Sequence, residues 1–253
     1  MPLIATEAIV LHAFDYLESS RIVRLATREA GLVSVVARGA KRPRSAFGAL
    51  DLFAYGTAHI SVRPQRDLHT LTKFDATGNR ISLGATLARF ASAAMLSELV
   101  MRFGHEESGR DLFFPLARGL DQLQESGGDA TADTALAAAW QLVSAMGFAP
   151  SVTECANCHS SVGEDTAAPF DLRAGGVLCD RCADNARARR TLPASARAAL
   201  RAWLAGDSFP LGDAPTRKAH QRLLREFLAE HLSDGRPLTA FLSWEKMSEQ
   251  DAA

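Results

Sequence analysis

Cysteine is scarce in this chain: 253 residues contain 4, and all of them fall between Cys155 and Cys182. Whatever cysteine chemistry the protein has is therefore confined to one segment. The first residues, MPLIATEAIVLHAFDYLESSR, lack a basic leader and already carry Glu7 and Asp15, so no secretory signal is evident. Long apolar runs are missing as well. The longest, Ala93–Val100, is interrupted by Ser97 and Glu98 and is far too short to span a bilayer. A cytoplasmic location without membrane contact is the expectation. Neither sign of charge dominates, since 28 Lys+Arg face 29 Asp+Glu, which argues against a protein that coats DNA by bulk charge. There is no G-x-x-x-x-G-K-[ST] phosphate cradle and no G-x-S-x-G nucleophile elbow.

What is present is unevenly distributed. Residues 1–80 carry 11 Lys+Arg against 7 Asp+Glu, whereas residues 81–150 carry 4 against 8. The basic first part reads as strands: Ala8–Phe14, Arg21–Arg28, Leu32–Ala37, Leu52–Val62 and Leu68–Phe74 are short extended runs, and Glu29-Ala30-Gly31 is a turn with a glycine for positive φ. Five strands with no helix between them suit a small closed barrel. From residue 84 the period becomes helical. Leu87, Phe90, Ala91, Ala94 and Met95 share one face of a helix that is apolar on most sides. Asp111 suits the cap of a second helix, with Phe113, Leu116, Ala117, Leu120 and Leu123 inward, and Leu136, Ala139, Trp140, Val143 and Met146 mark a third that Gly147 ends. Helices resume at Pro193 and again from about Pro215 to Leu232.

Between these helices lies the cysteine segment. Cys155-x-x-Cys158, twenty residues, then Cys179-x-x-Cys182 is a four-thiolate zinc spacing, because each two-residue spacer aims two sulfurs at one tetrahedral ion. Gly175-Gly176 gives the second knuckle a hairpin approach. Cys158-His159 also completes a haem c motif, but that reading needs export and leaves Cys179 and Cys182 unused. A disulfide pair fails on the same compartment argument. A redox dithiol needs one such motif at a strand-to-helix junction, not two in a polar loop. His105-Glu106-Glu107 contains the H-x-E of zinc deaminases, but neither knuckle follows a proline. The expectation is one structural Zn²⁺ per chain on Cys155, Cys158, Cys179 and Cys182, and no enzyme.

Two basic clusters stand out. In ARGAKRPRSAFGALD, Arg38, Lys41, Arg42 and Arg44 crowd a loop between strands, with Phe47 and Phe53 available for stacking, although core packing suits Phe53 better. In the helix ending near Leu232, Lys218, Arg222 and Arg225 form one stripe opposite the apolar side, and Arg187, Arg189 and Arg190 could extend it. A solvated loop and a solvated helix face are the plain alternatives for both.

With Thr6-Glu7-Ala8-Ile9-Val10 opening a barrel, the turn Arg28-Glu29-Ala30-Gly31, the run Val36-Ala37-Arg38-Gly39-Ala40-Lys41 and the inserted knuckles, the chain resembles the RecO family of bacterial recombination mediators. The resemblance implies an α+β multidomain protein. An N-terminal OB-type β-barrel (1–80) would precede an all-α domain in two parts (81–150 and 186–246). A four-cysteine zinc module (151–185) would be inserted between those parts, and a frayed tail (247–253) would follow. It further implies binding and annealing of single- and double-stranded DNA, association with RecR protein and single-strand-binding protein, and indirect help in loading RecA recombinase, in the cytoplasm with the nucleoid. By position the family's DNA-binding barrel surface maps onto Arg38, Lys41, Arg42 and Arg44, with Lys218, Arg222 and Arg225 as a second candidate. A zinc-ribbon transcription or RNA-binding regulator is the alternative.

Overall fold

A computed structural model describes residues 2–42, 47, 50–104, 109–186, 190–232 and 236–250. The chain forms two compact units, Met1–Glu125 and Ser126–Ala253. The first begins with strands β1 (Leu3–Tyr16), β2 (Ser20–Thr27), β3 (Gly31–Ala37), β4 (Tyr55–Ser61) and β5 (Leu68–Gly78). They close a barrel in the order β1-β2-β3-β5-β4, antiparallel throughout except for β3 against β5. This is the OB-type barrel expected. Val10, Val23, Leu25, Val33, Val35, Ala58, Ile60 and Leu71 fill its interior, because alternate residues of each strand point inward. Gly31 takes φ 67 and lets β3 leave the turn in register with β2, Thr27 opposite Gly31.

The fourth strand starts later than the apolar run suggests. Phe53 adopts φ 65, donates its amide to the Val10 carbonyl at 2.8 Å, and is buried. Val10 in turn donates to the Ala54 carbonyl at 2.9 Å, so Leu52–Ala54 forms a turn against the bulge of β1 between Val10 and His12. The extra residue of that bulge is Leu11, which is buried.

A short 3-10 turn (Ile81–Gly84) leads to α1 (Leu87–Phe103), capped by the Thr86 hydroxyl, and α2 (Gly109–Glu125). Helix α1 is buried around most of its circumference, from Ala91 and Met95 to Leu99 and Val100. Its first turn departs from expectation: Leu87 and Phe90 are exposed, and the Phe90 ring meets that of Phe53 edge to face. In α2, Leu112 joins Phe113, Leu116, Leu120 and Leu123 in the core, while Asp111 lies inside the first turn and does not precede it.

The second unit contains α3 (Ala130–Ala145), β6 (Ala168–Asp171), β7 (Gly176–Val177), α4 (Asp180–Ala186), β8 (Arg190–Leu192), α5 (Ala194–Ala205), α6 (Ala214–His231) and α7 (Thr239–Gln250). Helix α3 packs on α5 and α6, and its Trp140 meets Phe227 of α6 edge to face at 5.2 Å. Pro193 precedes α5 and Gly206, at φ 91, ends it. Asp213 caps α6 by accepting from the Thr216 amide at 2.7 Å, which holds its carboxyl below the usual range. The helix α7 passes the tail boundary set at 247 from the sequence. Buried Phe241 and Trp244 anchor it, and a short polar end masked that pattern. Among the described residues no helix is long and apolar enough to cross a membrane.

Candidate metal centre and basic surfaces

The first knuckle is a tight turn in which Cys155 donates its amide to the Ser160 carbonyl and His159 donates back to Cys155, both at 2.8 Å. His159 supplies the positive φ of 59 that this turn needs, and its side chain stays exposed. The role of His159 is thus a backbone one. The second knuckle opens α4, with the amides of Cys182 and Ala183 turned onto the Cys179 carbonyl. A three-stranded sheet, order β7-β6-β8, brings the two together. The Ala156 amide bonds the Val177 carbonyl at 2.8 Å, and Leu178 bonds Pro169 at 2.8 Å. Gly175 turns at φ 76, and Gly176 lies so close to the Ser151 backbone that a Cβ would collide with it.

As a result all four sulfurs lie within 4.8 Å of one another. A tetrahedral thiolate cage with bonds of about 2.3 Å has sulfur edges of about 3.8 Å, and Cys158 and Cys179 are 3.7 Å apart. Cys155 is buried, and the other three are at least partly open to solvent. The thiols cannot all ionise by themselves at this spacing. Hydrogen bonding from Ser160 brings Cys158 down to about 5, whereas Cys179 and Cys158 beside Cys182 push it up to about 12. Arg181 is the neighbouring cation, its own proton held more firmly by Cys158. Donor type, number and spacing all fit a divalent thiophilic ion.

One residue that sequence reasoning passed over fastens this segment. Arg197 of α5 is 1% exposed, and its guanidinium donates to the carbonyls of Val152, Val162, Gly163 and Thr166, at 2.5–3.2 Å. These carbonyls flank the first knuckle on both sides. The available signal was a charge on the apolar face, one turn before Leu200.

The basic clusters lie apart in the chain and fall in different units. In the barrel unit, Lys41 donates its amide to Ser19 at 3.1 Å and its ammonium to Asp15 at 2.7 Å, which depresses the Asp15 carboxyl. The loop therefore leaves β3 beside the β1–β2 hairpin. Arg38 and Arg42 have no ion pair among the described residues. Arg44 lies outside the described residues, as do Arg187, Arg189 and the His105-Glu106-Glu107 triplet. Phe47 is half-buried, bridged to Phe74 and packed on the barrel core, so neither it nor Phe53 offers an open ring.

In the second unit, Lys218, Arg222 and Arg225 line one groove of about 600 Å³ between α6 and α7, together with Lys246 and Leu242. Arg225 is committed to Glu245, bonding both carboxylate oxygens at 2.8 and 2.9 Å. Glu226 joins Arg190 to the stripe, pairing Arg190 through one oxygen and Arg222 at 3.9 Å through the other. Lys218 has no carboxylate partner among the described residues.

An OB-type closed barrel followed by a helical unit carrying a four-cysteine knuckle defines the class. Residues 1–80 match the family described as Recombination protein O N terminal, and residues 84–239 match Recombination protein O C terminal. A DNA repair protein RecO from Anaeromyxobacter sp. (strain K) is 36% identical over 243 residues, covering 92% of each chain. The protein of the same name from Symbiobacterium thermophilum is 32% identical over 235 residues, covering 91% of this chain and 88% of its own. The chain belongs to the recombination protein O family.

Proposed function

We propose that the protein is a non-catalytic mediator of DNA repair and recombination. It binds single- and double-stranded DNA, anneals complementary strands, and works with RecR and single-strand-binding protein to help load RecA, in the cytoplasm at the nucleoid. The names of its relatives point to DNA repair. The observation that carries the reading is the loop after β3, which sets Arg38, Lys41 and Arg42 together at one end of a closed OB-type barrel. Cations placed there bind any phosphate backbone by releasing counterions, so affinity is independent of sequence and steeply dependent on salt. In this reading Arg44 belongs to the same surface, and Lys218, Arg222 and Arg225 contact a second strand. Two held backbones meet more often, because the cations offset the phosphate repulsion that slows encounter.

The metal is zinc in this reading, bound by Cys155, Cys158, Cys179 and Cys182. Bound there, it cross-links the two knuckles and leaves no open coordination position for a substrate. No covalent bond is made or broken by the protein. Annealing of complementary strands coated with single-strand-binding protein tests the proposal. Acceleration is expected, with about one zinc per chain on metal analysis. A protein that shifts neither annealing nor mobility of DNA, or that reads one sequence tightly, belongs instead with the regulators.

Lys41→Ala, Arg42→Ala and Arg44→Ala together should weaken binding to every DNA sequence and flatten the salt slope by roughly one per lost phosphate contact. Unchanged affinity and slope would return the loop to solvent.

A further inference from the structure

The barrel carries an aromatic ladder along its first strand. Along β1, His12, Phe14 and Tyr16 share the face opposite Ala13, and Ala13 packs on the barrel interior. Phe14 is 45% exposed and Tyr16 41%. The His12 ring lies 5.7 Å from that of Phe14. In register, His12 faces Arg24 and Phe14 faces Ile22 on β2, so Arg24 is the diagonal neighbour of Phe14 on the outer face. Arg24 makes no ion pair among the described residues, and its Nε has no hydrogen-bond partner. At the far end of the ladder, the Lys41 amide on Ser19 brings the cationic loop beside Tyr16 and the hairpin. Exposed rings beside Arg24, which no carboxylate pairs among the described residues, suit a polyanion that also offers flat apolar faces.

We propose that Phe14 and Tyr16 stack unpaired bases, giving the barrel a preference for single strands over duplex. The geometry supplies the selectivity. Residues two apart on a strand are separated by about 7 Å, whereas successive bases in a duplex strand are about 3.4 Å apart. The ladder therefore matches a stretched strand with separated bases, and a duplex keeps its base faces covered. This inference rests on the DNA-binding reading above and adds to it a second kind of contact, insensitive to salt.

The test compares three chains of equal length: an oligothymidylate, an abasic strand with the same phosphates, and a duplex. Wild type should bind the oligothymidylate more tightly than the abasic strand, by about tenfold for each ring engaged. Phe14→Ala with Tyr16→Ala should remove that gap and leave abasic and duplex affinity unchanged. Phe14→Leu with Tyr16→Leu keeps apolar area without an aromatic face and should behave like the alanine pair. Because both side chains are exposed, the thermal midpoint of each variant should match wild type, which separates loss of stacking from loss of fold. A gap that persists in the alanine pair overturns the ladder, and so does wild type binding the thymidylate and abasic strands alike. A gap restored by the leucine pair means an apolar docking surface for protein and equally overturns it. Wild type that binds none of the three chains removes the DNA-binding reading itself.

Discussion

Among the described residues each of the two units buries one arginine, and the two are held in different ways. Arg80, 4% exposed, donates to the Asp121 carboxylate at 2.8 Å and the Phe53 carbonyl at 3.0 Å, and lies over the Tyr55 ring. Its charge is met by a charge, and that carboxylate is itself half in water. Arg197 meets only backbone carbonyls, and burial lowers its affinity for its proton. The surroundings explain the contrast. Arg80 joins elements that the barrel ladder and an apolar core already hold. Arg197 clasps residues 152–166, a polar stretch with little apolar side chain to bury. Where a segment cannot build a core, four converging cysteines able to hold a metal and one multiply bonded guanidinium take the place of one.

Stripping the metal with a chelator should act most strongly, melting residues 151–192 while the barrel stays folded. Hydrogen exchange would show it as lost amide protection in that segment alone, and equal loss in β1–β5 would mean that the units fold as one. Next, Arg197→Met should cost about 3–5 kcal/mol, because several buried carbonyls lose their donors at once. Arg197→Lys should recover little, since one ammonium cannot fork to four carbonyls. Urea midpoints check both, and a loss below about 1 kcal/mol would show the clasp to be replaceable by water.

Third comes an acid effect specific to the second unit. His220 is 3% exposed against Trp203, and burial pulls it down to about 4 from an ordinary 6.5. Its folded form refuses a proton that the unfolded chain accepts below pH 6.5. Stability is therefore full above that pH, falls as pH drops toward 4, and loses about 3 kcal/mol in total. His220→Phe should flatten this part of the pH profile, and an unchanged difference between neutral and acid midpoints would dismiss the assignment. Smallest, Arg80→Met should cost only about 1–2 kcal/mol, for Asp121 is free to turn to solvent and one carbonyl alone is stranded. A loss as large as that of Arg197→Met would erase the proposed contrast.

Much of this was legible in the sequence because it rests on local pattern. Short extended runs with no helix between them pointed to the five strands, Gly31 marked a turn that needs positive φ, and the cysteine spacing alone predicted four converging sulfurs. The rest depends on partners distant in the chain. Nothing near Leu52 reveals that Phe53 must bend onto the Val10 bulge. Arg197 stands out only as a charge on the apolar face of α5, and the four carbonyls that close around it come from an insertion distant in the chain. The basic stripe was visible as spacing, but the Arg225–Glu245 pair needed a helix, α7, whose polar end reads as a tail. Phe14 and Tyr16 alternate plainly, yet alternation alone does not say which face is inward.

The position of the knuckle has a kinetic consequence. Helices α3 and α5 pack together, yet Ala145 and Ala194 are separated by the whole cysteine segment. Bringing such ends together costs chain entropy that grows with the free length, about 0.6 kcal/mol for every doubling. Once the sulfurs gather around an ion, much of that length is no longer free, and the helices search for each other across a short tether. If the four thiolates hold a metal, its supply would set the refolding rate of the second unit and leave that of the barrel unchanged.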